Sequence, residues 1–379
     1  MRQLSARLAA IGLLSIASVS CSSAPDAFTS PTSPTTASGD AGSSTKNGSD
    51  SGSGVSPLRE DSGSGSKVDA AAAQDGADAG STTPSSRIDY APYFPTWVWG
   101  GTGYAFTGLA DLRQKAGIGQ VTIAFVLSNG GCDTTQDIEQ NLADVAAFLA
   151  AGGRVKASFG GADGAYVESK CHDASAFASA IGNFVDATGI TDLDFDIEQD
   201  PMLTDAVNTM RGQALKMAQD AKHIKVAFTL AANPSPGGGL TLQGQSVVSH
   251  AIAAGVTISH VNFMTMDYGA SFGGAPLAPV VLGTLADGHA QIMSLVSGIA
   301  SEEAWRMVGV IPMIGKNDDT EVFSLDDAKS VAQFATTHQI GLVSFWSIDR
   351  DQTGTDFNTS STVETTNFAF NTILHVVAQ

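Results

Sequence analysis

Eight short runs rich in Val, Ile, Phe and Ala alternate with helical patterns through the larger, later part of this chain, and that alternation restricts the fold more than any other feature. The predicted strands are Asp89 to Phe94, Gln120 to Val126, Arg154 to Ser158, Asp192 to Glu198, Lys225 to Leu230, His260 to Met264, Met307 to Pro312 and Gly341 to Trp346. Helical spacing is clearest in Ile138 to Ala150, where Ile138, Leu142, Val145, Ala146 and Leu149 recur on one stripe. It recurs in Asp326 to Thr337, through Ala328, Val331, Ala332 and Ala335. Gly152 and Gly153 supply a stop after the first of these helices. Strands that alternate with helices form parallel sheets, because a parallel neighbour is reached only by a crossover. The stretch from Ile88 to Gln379 is about 290 residues long. That suits an α/β fold of the (β/α)₈ TIM-barrel type, typically about 250 residues with insertions. A doubly wound open sheet is the alternative. Its nucleotide-binding form wants a glycine-rich turn after the first strand, whereas Pro95-Thr96-Trp97-Val98-Trp99-Gly100 stands there.

The fourth predicted strand, within Thr191-Asp192-Leu193-Asp194-Phe195-Asp196-Ile197-Glu198, alternates acids with bulky apolar residues. Successive strand side chains point to opposite faces. Asp192, Asp194, Asp196 and Glu198 therefore share one face, and Leu193, Phe195 and Ile197 share the other. Like charges at that spacing repel and some must hold protons, an arrangement that serves where a raised carboxyl pKa is useful. A solvated acidic face and an Asp-rich cation loop are the other readings. A helix-loop-helix calcium loop wants Gly at its sixth position and Glu at its twelfth, and the apolar partners here point to a buried strand instead. No metal is expected.

A net charge of −19 argues against a nucleic-acid partner. Residues 1–20 read as a secretory signal, with Met1-Arg2-Gln3-Leu4-Ser5-Ala6-Arg7 ahead of an apolar run from Leu8 to Val19 that is too short to span a membrane. Cys21 follows the small residues Ser18-Val19-Ser20 and resembles the lipid-modified cysteine of bacterial lipoproteins. Ordinary cleavage there is the alternative. Residues 21–87 are dominated by Ser, Gly, Ala, Thr, Asp and Pro, and read as a disordered tether. An extracellular or bacterial cell-surface location follows, with membrane contact only through a lipid on Cys21. Cys132 and Cys171 are the cysteines of the folded part; in an oxidising compartment they read as a disulfide or, alternatively, as two buried thiols.

Polar and aromatic residues gather at the ends of the predicted strands: Tyr93, Trp97, Trp99, Ser158, Glu198, Asn233, Asp267, Tyr268 and Trp346. Active sites of barrel enzymes lie at that C-terminal face, and flat aromatic faces beside carboxylates suit sugar rings. Several of these segments together resemble the family 18 glycoside hydrolases, the chitinases and their relatives. Asp194, Asp196 and Glu198 match the last three acids of the family signature D-G-x-D-x-D-x-E, while Thr191 and Asp192 depart from its opening Asp-Gly. Ser158-Phe159-Gly160-Gly161 matches S-x-G-G on the third strand. Met264-Thr265-Met266-Asp267 meets M-x-Y-D with Met266 at the tyrosine position, so that Tyr268 is the candidate for the acetamido contact. Trp346 resembles the tryptophan on the eighth strand that floors the cleavage subsite, and Gly309 to Asp318 resembles the region of the seventh strand.

The resemblance implies hydrolysis of β-1,4 links between N-acetylglucosamine units with retained configuration, the substrate's acetamido oxygen acting as nucleophile. Glu198 would be the general acid and base. Asp196 would orient the acetamido group, and Asp194 would share a proton with Asp196. Tyr93, Ser158, Gly160, Gly161, Met264, Asp267, Tyr268 and Trp346 are the expected substrate-binding residues. The partners implied are chitin or N-acetylglucosamine oligosaccharides, acted on by a monomer without a cofactor. An endo-β-N-acetylglucosaminidase acting on N-glycans, and a non-catalytic lectin on the same barrel, are the alternatives.

Overall fold

The computed structural model describes residues 87–379. The signal expected over 1–20, Cys21 and all but the last residue of the tether expected over 21–87 lie outside the described residues.

Parallel strands follow one another round a closed ring. Strand β1 runs in two pieces, Asp89–Tyr90 and Tyr93–Pro95; β2 is Gln120–Val126, β3 Arg154–Gly160 and β4 Asp192–Ile197. Then come β5 (Lys225–Asn233), β6 (Ile258–Met264), β7 (Val308–Ile311) and β8 (Leu342–Val343). Ring closure is made by β1, whose Asp89 and Tyr90 pair with Leu342 and Val343 of β8 while Tyr93 to Pro95 pair with Thr122 to Ala124 of β2. Pro92 lies between the two pieces. Lacking an N–H, it gives the sheet only its carbonyl, which accepts from Thr122 at 3.0 Å. The fold is the (β/α)₈ barrel that the alternating pattern predicts. Strand β8 is shorter than the run Gly341 to Trp346, yet Trp346 still donates to Pro312 at 2.9 Å and bridges to Met313, so the wall continues to its end.

Helices fill the crossovers, and their ends carry local signals. Ala174–Thr188 is the clearest, with Asp173 capping Ala176 N–H at 2.8 Å and Gly189 closing it at φ 72°. Its Phe177, Ile181 and Phe184 are buried against the barrel, each contributing about 1.5–3 kcal/mol. Leu325–His338 opens with a capping box between Ser324 and Asp327 and buries the predicted stripe Ala328, Val331, Ala332 and Ala335. The helix expected over Ile138 to Ala150 is instead broken at Asn141 into Asp137–Gln140 and Leu142–Ala150. The break rotates the stripe. Phe148 is buried where Leu149 was expected, and Leu149 is 45% exposed.

On β4 the two faces divide as alternation requires. Leu193, Phe195 and Ile197 are buried toward the helices, where Phe195 stacks on Phe159 at 5.3 Å. The acids take the barrel interior and its two ends. Asp192 lies at the start of the strand, paired with Lys156 at 3.0 Å, and so stands at the pole opposite Glu198.

Candidate active site

Asp194 sits in the middle of the barrel and is surrounded by donors from four other strands. Ser158 Oγ donates to it at 2.7 Å, Tyr93 OH at 2.9 Å, Thr229 Oγ1 at 2.9 Å and Asn262 Nδ2 at 3.2 Å. Burial pushes its pKa up, and the hydrogen bonds from Ser158, Thr229 and Tyr93 and the charge of Lys156 act against that rise. Asp194 is held in place by every group around it.

Two residues on, Asp196 is also buried, but its Oδ1 has no hydrogen-bond partner. Burial raises its pKa well above the ordinary range, and the charges of Glu198 and Asp194 add to that. Its environment favours the protonated carboxyl, against the opposing hydrogen bond from Tyr93.

Glu198 follows immediately after β4 at the mouth of the cleft. Burial raises its pKa to about 7, with further contributions from Asp267, Asp163 and Asp318. The acids responsible thus come mainly from the loops at the rim. Tyr166 fixes the turn beneath it: its hydroxyl accepts from Glu198 N–H at 2.9 Å and lies 2.9 Å from the carbonyl of Gly161 and 3.0 Å from that of Asp196. Gly160, at φ 112°, lets the third and fourth strands approach there, because a Cβ would overlap the Asp196 carbonyl oxygen.

Trp346 floors a cleft of about 200 Å³ that is lined also by Tyr93, Asp196, Glu198, Thr229, Met264 and Asp267. Phe125 stacks on Trp346 at 5.6 Å with 17° between the rings, and Tyr93 meets its edge at 5.7 Å. Trp97, 49% exposed, packs edge-on against Trp346 at 6.0 Å and donates to Asp349 at 3.3 Å. Asp267 adopts φ 53° and accepts from Asp318 N–H at 3.0 Å, which aims its carboxylate over the cleft. Met266 and Met313 complete the apolar wall.

Of the residues singled out from sequence, Asp196, Glu198, Tyr93, Met264, Asp267 and Trp346 converge on the cleft. Ser158, Gly160 and Gly161 stand behind it: Ser158 holds Asp194, and Gly161 packs against the Phe125 ring. Tyr268 is turned away. Its hydroxyl donates to Thr284 at 3.4 Å, and Met266 faces the cleft in its place, since the left-handed Asp267 between them, at φ 53°, breaks the alternation that would put both on one side. Cys132 and Cys171 are joined, with Cα atoms 4.6 Å apart, linking the loops after β2 and β3. Thr229, Asn262, Tyr166, Phe125, Asp163 and Asp318 were not legible as site residues. Nothing in their local sequence marks them, for each acts through a strand or loop distant in the chain.

A closed barrel whose C-terminal mouth holds a graded row of carboxyls over an aromatic floor is the architecture of the barrel glycosidases. No family model matches the sequence. The chain is 34% identical over 284 residues to Endochitinase 11 of Metarhizium anisopliae, covering 69% of this chain and 52% of that protein. It is 34% identical over 286 residues to a probable bifunctional chitinase/lysozyme of Escherichia coli (strain K12), covering 70% of this chain and 31% of the relative. The chain thus spans about half the length of the first relative and a third of the second. The catalytic domain of a hyperthermophilic chitinase from Pyrococcus furiosus has a similar structure, with TM-score 0.68, 28% identity, and coverage of 77% of this chain and 95% of that one. In sequence and in fold the chain is chitinase-like, in keeping with the family 18 resemblance of its motifs.

Proposed function

We propose that this protein is a chitinase that hydrolyses β-1,4 links between N-acetylglucosamine units with retention of configuration. The reading is carried by one observation: the carboxyl of Glu198 is held at about 7 at the mouth of a cleft floored by Trp346, with the buried acid Asp196, one oxygen of which has no partner, directly beneath. An acid of that pKa keeps its proton near neutral pH and can also take one back.

In the proposed reaction the sugar ring rests on Trp346, and Glu198 gives its proton to the glycosidic oxygen as the C1–O bond breaks. The substrate's acetamido carbonyl oxygen attacks C1 from the other face, forming a cyclic oxazolinium ion. Asp196 leaves its proton with Asp194 as it turns, accepts a hydrogen bond from the acetamido N–H and, as a carboxylate, stabilises that cation. Glu198, now a carboxylate, removes a proton from water as it attacks C1, which restores the acetamido group and the β configuration. Asp194, fixed by four donors, stays in place and shares that proton until Asp196 turns back.

We also propose that the chain is exported and acts outside the cell or at its surface, held by a lipid on Cys21. The signal-like sequence over 1–20 supports that reading. Cys21→Ser should release the protein into the medium.

The deciding experiment for the activity incubates the purified protein with soluble N-acetylglucosamine oligosaccharides and, separately, with a high-mannose glycoprotein. Products are identified by mass. Shortened oligosaccharides of retained β configuration are expected. Release of the glycan alone would assign an N-glycan endoglycosidase instead, and binding without products a lectin.

A further inference from the structure

The pole of the barrel opposite the cleft carries a second pocket. It forms where strands begin: Asp89 opens β1, Arg154 opens β3 and Lys225 opens β5, while His260, Arg306 and Gly341 stand beside them around about 250 Å³ of space. Gly341 lets these segments pack closely beside the pocket, because a Cβ there would overlap the Arg306 carbonyl oxygen and come within 2.5 Å of His260 Cδ2.

The pocket is positive in a chain whose net charge is −19. Asp89 is already engaged, accepting from Arg154 at 3.1 Å and lying 3.7 Å from Lys156, and Lys156 is held by Asp192 at 3.0 Å. Lys225 and Arg306 have no such partner: among the described residues no carboxylate lies within 4.0 Å of either. Cations without counter-charge around a concave site are an arrangement that repels itself until an anion enters.

His260 supplies an independent observation. Its Nδ1 is sealed from solvent and has no hydrogen-bond partner, a condition that calls for a reason in a buried group. Burial, with the charge of Lys156 next and Lys225 behind it, holds its pKa down to about 4, against the pull of Asp89 and Asp192. The imidazole is therefore neutral at neutral pH, walled in by cations.

We propose that this pocket binds a small oxyanion of the phosphate type, held by Arg154, Lys225 and Arg306 with His260 as its wall. Guanidinium forks pair with phosphate oxygens two at a time, and an anion of two charges can engage cations arriving from three different segments. Such an anion would satisfy the unpaired cations and would favour protonation of His260. The anion could be free in solution or the headgroup of an anionic lipid, and the chemistry of recognition is the same. This inference does not depend on the reading of the cleft.

Thermal unfolding of the full chain near pH 7.5 tests it, comparing inorganic phosphate at about 20 mM with sodium chloride of equal ionic strength. A saturable rise in Tm of about 2 °C or more is expected in phosphate alone. The double variant Lys225→Glu and Arg306→Glu, changed at the pocket's rim, should lose that response while keeping its folded circular dichroism. Proton resonances of the His260 ring should titrate at a pH at least about one unit higher when phosphate is present. Co-sedimentation with phosphatidylglycerol vesicles, against phosphatidylcholine vesicles, distinguishes the sources. Binding lost in the double variant without a response to free phosphate assigns a lipid headgroup, and the reverse assigns a soluble anion. No response to either probe, or an equal response in the double variant, overturns the proposal.

Discussion

Glu198 is subject to opposite demands from folding and from chemistry, and one substitution separates them. Its carboxyl is held at about 7 against an ordinary 4.5. A raised acid makes the folded state prefer the proton. Its stabilising effect is therefore fully present below about pH 4.5, falls as pH rises, and is lost above about 7. At about 1.4 kcal/mol per pH unit the span between those values amounts to about 3 kcal/mol, which solvent at the open rim trims to about 2. Glu198→Gln keeps the shape and removes the charge. Relative to the parent, the variant should show its advantage at pH 8, by about 2 kcal/mol or roughly 3 °C in Tm, and little or none at pH 4. Turnover should move the other way, falling by about 10² to 10⁴ while oligosaccharide binding survives. Scanning calorimetry across that pH range, with turnover and binding measured on the same samples, checks both. A variant that gains nothing at pH 8 over pH 4 would refute the electrostatic argument, and turnover within about tenfold of the parent would refute the acid assignment.

Other consequences can be checked separately. Parent activity on soluble oligosaccharides should decline above about pH 7 as Glu198 loses its proton, and a pH–rate profile flat to pH 9 would contradict this. Fully deacetylated chitosan and cellulose oligomers should resist cleavage, and a thiazoline mimic of the cyclised intermediate should inhibit; comparable rates on cellulose oligomers would remove the substrate-assisted mechanism. Asp194→Ala strips the acceptor from Ser158, Tyr93, Thr229 and Asn262, so it should cost about 3 kcal/mol or more in denaturant unfolding, whereas Asp194→Asn should cost less. Reduction of the Cys132–Cys171 link, whose cysteines are 39 residues apart, should lower stability by about 4 kcal/mol, measured as a lower Tm in reductant.

Much of the site was legible because it depends on residues close together in the chain. Alternation along Asp192 to Ile197 is a property of any strand, so it alone placed Asp194 and Asp196 on one face and Leu193, Phe195 and Ile197 on the other. The eightfold recurrence of strand and helix patterns predicted the barrel, and Gly160 with Gly161 stood out by their match to S-x-G-G; that both take positive φ came from the structure. Three things were decided only by closure of the ring. Asp192, on the same face as the other acids, was carried to the far pole and neutralised by Lys156. Tyr93, Thr229 and Asn262, from three other strands, met on Asp194. Asp163, Asp267 and Asp318, from three separate loops, came close enough to raise Glu198 further. Period and propensity are local and can be read along the chain. Desolvation and the convergence of distant charges exist only inside the assembled barrel, where water is excluded and the strands have closed.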